Sequence, residues 1–489
     1  MRAVHAGRGS QPGRRGAAYS RKGRKAGVSM DEPTETQVGG HLAGSAGRTP
    51  VCSAALPAEY ETARRATMFR FAWERLKDHP LSRLGPGLIT GVADDDPSGI
   101  ATYSQAGAQF GLNMLWTMPL AFPFMAAIQS MCGRIGRVTG RGLAANIKAT
   151  FPPLVLKGVV LLLLIANTLN IGADVAVIGE VGELLIGLDR HAMAVIFVVA
   201  TLLLQIFVPY HRYVFFLKWL ALSLLAYVAV LFTVHVPWGE VALRTVWPRL
   251  QLSSDTAAVV VGVFGTTISP YLFFWQASEE VEDMLAQGSA PLVQDPAGAP
   301  KELRRIQWDT WSGMFYSDIA AYFIILATAV TLHVAGITNI ETAAQAASAL
   351  RPLAGDFAFI LFAIGIVGVG LIGVPVLAGS AAYALAEAMG WNEGLEKRTQ
   401  DARGFYGVIA VSVIAGLFIS YSPISPMKAL FWSAVINGVV AVPLMVVIIL
   451  LASRPSVMGP HTSGWPVIIL GWIATLVMGL AAILMLVPG

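Results

Sequence analysis

The sequence has 489 residues, of which 55% are hydrophobic and only 13% charged, and its formal net charge is +4. The charged share is about half that of an ordinary soluble domain, and the mean hydropathy is +0.62. These values exclude a soluble globular protein and indicate a membrane protein that crosses the bilayer many times. No His-Glu-x-x-His or Gly-x-Ser-x-Gly pattern occurs, so an intramembrane enzyme is disfavoured.

The N-terminal segment is strongly basic, with eight Lys and Arg and no Asp or Glu in residues 1–30. Such a segment can bind nucleic acid or anionic lipid. Its composition also fits a disordered cytoplasmic tail, or an extension ahead of a translation start at Met30 or Met68. We favour a disordered tail over residues 1–82 and expect no nucleic-acid partner.

Apolar runs of about 17–25 residues, the length of a spanning helix, predict an all-α polytopic membrane protein with about eleven transmembrane helices. The predicted helices lie at 85–106, 111–132, 158–179, 191–208, 214–235, 257–278, 312–334, 356–388, 405–421, 428–452 and 464–487.

Lys and Arg in the predicted connections set the orientation. With the N-terminus inside, fourteen lie on the cytoplasmic side and five outside. We therefore expect a multi-pass protein of the cell inner membrane, with a cytoplasmic N-terminus and a monomeric state. The helices are assigned to a first five-helix repeat at 83–236, a second at 237–452 with a cytoplasmic loop at 279–311, and a further helix in 453–489.

Two predicted helices are interrupted at matching places in the two halves. The first carries "ADDDPSGI" and is expected to break at Asp96, Pro97, Ser98 and Gly99, and the sixth carries Ser269 and Pro270 in mid-span. Lipid cannot satisfy the backbone groups that a proline frees, so such breaks persist where protein or a water-filled cavity supplies partners. Two ordinary proline kinks are the alternative. Because one break also carries a carboxylate, we favour an inverted-repeat transporter with its site at the bilayer midplane.

The chemistry of the breaks favours a cationic substrate. Unwound carbonyls and helix C-termini attract cations, and Asp96 adds a full negative charge. An anionic substrate calls for Lys or Arg within the spans, which hold almost none. Asp96 is the first candidate ligand, whereas for Asp94 and Asp95 a pore-lining or solvated role fits at least as well as ligation.

At these two motifs the chain resembles the Nramp family of divalent-metal transporters. The stretch "GPGLITGVADDDPSGIATYSQAGAQFG" is similar to that family's first helix, with its Asp-Pro-Gly-Asn signature, and "GTTISPYLFFWQAS" to its sixth, with Met-Pro-His. The resemblance runs from about residue 84 to 451. It implies a LeuT-like 5+5 inverted repeat and alternating access to a metal site between helices 1 and 6.

Carried over by position, the resemblance implies a metal site at Asp96, Gly99, the carbonyl of Thr266, and Ser269. Gly99 replaces the family's asparagine and is expected to open space, and Ser269 replaces the soft thioether of methionine. A roomy site of hard oxygens suits Mg²⁺, as in the Nramp-related magnesium transporters. We expect import of Mg²⁺ and Mn²⁺, with no cofactor beyond the transported ion.

The positions that the family associates with proton movement differ here. Tyr271 and Gln276 stand at the histidine positions of helix 6, and Asn170 and Ala173 at the acidic positions of helix 3. Asp174, one residue on, is either a substitute relay or a packing residue. Asp318 in helix 7 is a further weak candidate. We favour weak or absent proton coupling. A proton-coupled Mn²⁺/Fe²⁺ transporter and a cation-coupled carrier of an organic solute are the alternatives.

Overall fold

The structure, a computed structural model, describes residues 86–208, 224–249, 253–395 and 397–486, and all regular secondary structure in these ranges is helical. The predicted tail at 1–82 and the first ten residues of the predicted fifth span at 214–235 lie outside the described residues.

The described part of the first half contains three long helices and five shorter ones. They are α1 (Pro86–Asp94), α2 (Pro97–Phe110), α3 (Thr117–Thr139), α4 (Leu143–Thr150), α5 (Pro153–Ile186), α6 (Arg190–Phe207), α7 (Leu225–Val230) and α8 (Trp238–Val246).

The second half again begins with two segments in place of one long helix. Its helices are α9 (Ser254–Thr267), α10 (Pro270–Ala286), α11 (Ala299–Thr328), α12 (Ala343–Ala347), α13 (Arg351–Ala354), α14 (Ala358–Met389), α15 (Arg403–Ser420), α16 (Pro426–Ser453), α17 (Pro455–Met458) and α18 (Trp465–Leu486).

Eight helical stretches of the described chain are long and apolar enough to cross a membrane, judged by length and composition. A ninth candidate is the pair Pro97–Met114 and Thr117–Thr139, which is bent by 114°. The expected all-helical, multi-span architecture is therefore confirmed. The count of eleven spans and the 5+5 layout stay predictions.

The predicted loop at 279–311 is mostly helical, which corrects that boundary. α10 continues to Ala286 and α11 begins at Ala299. The connection is shorter because charged residues, which we took for a loop, are good helix formers, and because Pro300 lies in the first turn of α11, where proline is tolerated.

Small residues bring the broken helices close to their neighbours. α1 packs on α11, and α9 packs on α16. A Cβ atom at Gly91 would collide with the backbone of Gly313, and one at Gly265 would collide with the carbonyl of Ala434. Backbone contact of this kind is how membrane helices associate closely without bulky side chains. It fixes α1 and α9, and with them both breaks, in the protein interior.

Candidate functional site

The first break lies at Asp95 and Asp96, so it overlaps the predicted break only at Asp96. α1 ends at Asp94, and Pro97, Ser98 and Gly99 form the first turn of α2. The correction has a simple cause: proline is favoured at the first helical position, since its φ angle suits a helix and its missing N–H has no partner there. Pro97 therefore begins a helix, as Pro270 begins α10.

Asp96 is buried and its carboxylate accepts three hydrogen bonds, all from neutral donors. Oδ1 accepts from the Ser98 hydroxyl at 2.6 Å and from the Gly99 backbone N–H at 2.8 Å. Oδ2 accepts from the side-chain amide of Asn170 on α5 at 2.9 Å. Asp96 is thus the N-cap of α2 and, at the same time, a carboxylate held between the break and a neighbouring helix.

The second break brings the other predicted ligands together. Ser269 directs its hydroxyl back along α9 and donates to the carbonyl oxygens of Thr266 at 2.6 Å and Gly265 at 3.0 Å. The two candidate ligands, Ser269 and the carbonyl of Thr266, are therefore bonded to each other. The Thr266 hydroxyl lies 3.5 Å from the hydroxyl of Ser98, so the two breaks meet through these side chains.

Gly99 does not border an open space, contrary to the expectation. A Cβ atom there would lie 3.3 Å from Thr266 Oγ1 and 3.3 Å from Tyr103 Cε2. That is tighter than an ordinary van der Waals contact, so the glycine serves close packing of the two breaks. The sequence could not reveal this, because the crowding comes from a residue 167 positions away.

Asp94 and Asp95 face α11. The hydroxyl of Ser317 lies 2.7 Å from Asp94 Oδ2 and 3.1 Å from Asp95 Oδ1, so one donor serves two carboxylates. Asp318 follows in the same helix and interacts electrostatically with Asp95. All three aspartates are buried. This placement removes the solvated role that we had left open for the first two.

The remaining candidates bind backbone or polar groups around the breaks. The Tyr271 hydroxyl donates to the carbonyl of Ala93 at 3.1 Å, which satisfies a group freed at the end of α1. Gln276 Oε1 accepts from Thr90 at 2.6 Å. Asp174, one turn after Asn170 on α5, is buried and lies 3.4 Å from its amide.

Sequence reasoning missed two members of this network, Ser317 and the role of Asn170. Asn170 also accepts a hydrogen bond at its Oδ1 from the side-chain amide Nδ2 of Asn437 on α16 at 3.4 Å. The spacing of Asn170 and Asp174 was the available signal, because residues four apart share one face of a helix.

The charges of the site favour a cation. Within the described ranges, none of the ion pairs involves Asp94, Asp95, Asp96, Asp174 or Asp318. The part of the chain that the structure describes contains no group of three or more His, Cys, Asp or Glu side chains that could hold a metal ion. A metal at the breaks would therefore take one carboxylate, Asp96, together with hydroxyl and carbonyl oxygens.

A polytopic helical protein with two helix breaks around a buried carboxylate is the class that fold and site define. The sequence model of the family described as Natural resistance-associated macrophage protein-like, or Nramp, matches residues 87–488. The match spans most of the chain, and the chain belongs to the Nramp family.

Relatives of known name agree with this assignment. Over 425 residues the chain is 26% identical to the divalent metal cation transporter MntH of Acidiphilium cryptum, covering 82% of this chain and 89% of that protein. It is 29% identical over 316 residues to the MntH of Bradyrhizobium diazoefficiens, covering 61% of this chain and 65% of that protein.

Solved structures show the same fold. A manganese transporter of Eremococcus coleocola superimposes with a TM-score of 0.64 at 15% identity, covering 81% of this chain and 84% of that one. Mhp1, a nucleobase-cation-symport-1 family transporter with the LeuT fold, gives 0.50 at 13% identity, covering 82% and 92%. At these identities the likeness concerns the fold alone.

Proposed function

We propose that this protein is a secondary transporter that imports divalent metal cations, with Mg²⁺ and Mn²⁺ favoured, by alternating access. One observation carries the proposal: the carboxylate of Asp96 is buried at the first helix break, and the Ser98 hydroxyl that donates to it lies 3.5 Å from the hydroxyl of Thr266 at the end of α9. The names of the MntH relatives and of the manganese transporter support the substrate class.

The donor set supports a hard cation. Asp96, Ser98, Thr266 and Ser269 offer only oxygen, and no thioether or imidazole is among them. Mg²⁺ and Mn²⁺ prefer oxygen ligands, and Mg²⁺ retains several waters because it dehydrates reluctantly. A ligand set with a single carboxylate suits an ion that enters partly hydrated. Fe²⁺ selectivity finds no support in these residues.

Binding requires an exchange of hydrogen bonds. The Ser98 hydroxyl and the Asn170 amide now donate to Asp96, and the Ser269 hydroxyl now donates to Thr266. A metal at Asp96 replaces the bond from Ser98 and draws the Thr266 carbonyl away from Ser269. This local exchange at two helix ends is the step that couples ion binding to movement of the breaks in alternating access.

Coupling to protons is proposed to be weak or absent, since Tyr271 and Gln276 occupy the histidine positions and are engaged in hydrogen bonds. The alternative, a proton-coupled Mn²⁺/Fe²⁺ transporter, is favoured by the buried acids Asp94, Asp174 and Asp318, which lie near the breaks. We further propose an inner-membrane monomer with a cytoplasmic N-terminus and the 5+5 repeat boundaries given above.

Proteoliposomes containing the purified protein test these proposals together. Uptake of Mg²⁺, Mn²⁺ and an organic solute is measured in parallel, with a pH-sensitive dye inside the vesicles. We expect metal uptake without matching acidification and its loss in Asp96→Ala. Metal uptake that is unchanged in Asp96→Ala contradicts a metal site at Asp96. Acidification of the vesicles in step with metal uptake contradicts weak proton coupling. Solute flux without metal flux favours the organic-solute carrier.

A further inference from the structure

One face of α11 is exposed from the start of the helix to Ile319, and the chemical character of its side chains changes along the way. The exposed positions recur three or four residues apart, which places them on a single helical stripe. From the start of the helix the exposed residues of this stripe are Lys301, Arg304, Trp308, Ser312, Phe315 and Ile319, and Pro300 and Gln307 are exposed beside them. The stripe thus runs from cationic through aromatic to aliphatic, the order met on passing from lipid headgroups into acyl chains.

A cavity of about 430 Å³ opens at the cationic end of this stripe. It is lined by Pro300, Lys301, Arg304, Arg305 and Trp308. Arg305 is committed to Glu280 at 2.6 Å, whereas Lys301 and Arg304 take part in none of the ion pairs formed among the described residues. The cavity therefore presents two uncompensated cations beside an indole ring.

The spacing of these groups along α11 matches the thickness of the headgroup layer. Trp308 is 72% exposed, and exposed Phe315 lies two turns further along the helix on the apolar side. Exposed Trp side chains of membrane helices concentrate at the bilayer boundary. Arg304 and Lys301 precede Trp308 by about 6 Å and 10 Å of helix rise, and the polar headgroup layer is about 5–8 Å deep on each side. Long basic side chains reach across the remaining distance.

We propose that this cavity binds the phosphate group of an anionic phospholipid, held by Lys301 and Arg304, with Trp308 at the junction of headgroup and acyl chain. Charge complementarity selects an anionic headgroup. The apolar continuation of the stripe through Phe315 and Ile319 selects a lipid over a free phosphate, because only a lipid covers both ends. The site is separate from the helix breaks and does not depend on the proposed metal transport.

Native mass spectrometry of the full-length protein in detergent tests the proposal, with dioleoyl-phosphatidylglycerol or dioleoyl-phosphatidylcholine added as probe. We expect the wild type to retain phosphatidylglycerol preferentially. The variant Lys301→Gln/Arg304→Gln should weaken that preference about 25-fold, since each basic residue near a membrane surface contributes about fivefold. Both residues are exposed, so these changes leave the packed interior intact.

The control variant Lys157→Gln/Arg398→Gln removes the same two charges from exposed positions elsewhere and should keep the wild-type preference. Trp308→Ala should weaken retention of both lipids while preserving the preference for phosphatidylglycerol. Equal retention of the two lipids by the wild type overturns the proposal, as does an equal loss in the two charge variants. Displacement of phosphatidylglycerol by millimolar glycerol phosphate identifies a free-phosphate site and overturns the lipid assignment.

Discussion

The side-chain amide of Asn170 binds the carboxylate of Asp96 at 2.9 Å, which joins α5 to the break of the first helix. Through its carbonyl oxygen the same residue contacts Asn437 of α16. An asparagine supplies both the donor and the acceptor that this bridge needs. Asn170 therefore orients the candidate ligand Asp96 and would not itself contact the metal.

We expect Asn170→Ala to weaken Mg²⁺ and Mn²⁺ transport by about 10–100-fold, the usual effect of removing a group that orients a metal ligand. Uptake at increasing metal concentration measures the change in apparent affinity. Asn167→Ala is the matched control, because Asn167 lies on the same helix and bonds Leu377 and Ser380 instead. An equal loss of affinity in both variants contradicts an orienting role for Asn170.

Ser269→Met is expected to shift selectivity from Mg²⁺ towards Mn²⁺ and softer transition metals. The substitution removes the hydroxyl that now occupies the Thr266 carbonyl and supplies a thioether, a soft ligand. Competition between the two ions in proteoliposome uptake gives the selectivity ratio. Ser269→Ala frees the same carbonyl but adds no sulfur, so it separates the effect of the freed carbonyl from the effect of the thioether. A ratio that is the same in all three proteins places Ser269 outside the metal site.

The ion pair between Arg305 and Glu280 links α11 to α10, and Glu280 is fully buried. Arg305→Gln leaves that carboxylate without its closest cation, which typically costs about 3–5 kcal/mol. We expect Arg305→Gln/Glu280→Gln to be more stable than Arg305→Gln alone, as measured by thermal unfolding in detergent. Lys428→Gln, which breaks an exposed pair with Glu341, should cost about 0–1 kcal/mol. A double variant less stable than Arg305→Gln argues against this account.

Glu393 lies in the connection between α14 and α15. Burial, and secondarily repulsion by Glu387, raises its pKa to about 9. The folded protein then holds a proton that the unfolded chain, with a Glu pKa of about 4.3, has released. The contribution of Glu393 to the free energy of unfolding is therefore fully present at low pH and declines as the pH rises from about 4.3 to about 9.

In the variant Glu393→Gln the side chain is neutral at every pH and need not take up a proton when the protein folds. We therefore expect its thermal unfolding midpoint to exceed that of the wild type, by a difference that grows from pH 5 to pH 9. Unfolding of both proteins in detergent across this range provides the comparison. A difference that stays constant or shrinks with pH shows that Glu393 is ionised in the folded protein.

The two breaks were predictable from sequence because they depend on local chemistry. A proline and a carboxylate within an apolar run leave few alternatives, and Asp96 does lie where the breaks meet. The exact break position was wrong because Pro97 was treated as an interruption, although proline also favours the first turn of a helix. Local rules of helix capping were sufficient to place the first break correctly.

The contacts between distant segments were not predictable in this way. The tight space at Gly99 depends on Thr266, and the shared donor of Asp94 and Asp95 is Ser317 of α11. Each pairing follows from which helices pack together and at what rotation. A single sequence gives the exposed and buried faces of a helix but not the partner that covers the buried face.

We propose that transport requires the charge of Asp96 and not its capping of α2. Asp96→Ser separates the two roles, because serine caps a helix about as well as aspartate but carries no charge. Mg²⁺ and Mn²⁺ uptake into proteoliposomes should fall nearly as far as in Asp96→Ala, while the thermal unfolding midpoint stays closer to that of the wild type. Uptake by Asp96→Ser at the wild-type rate would contradict a metal site at the two helix breaks.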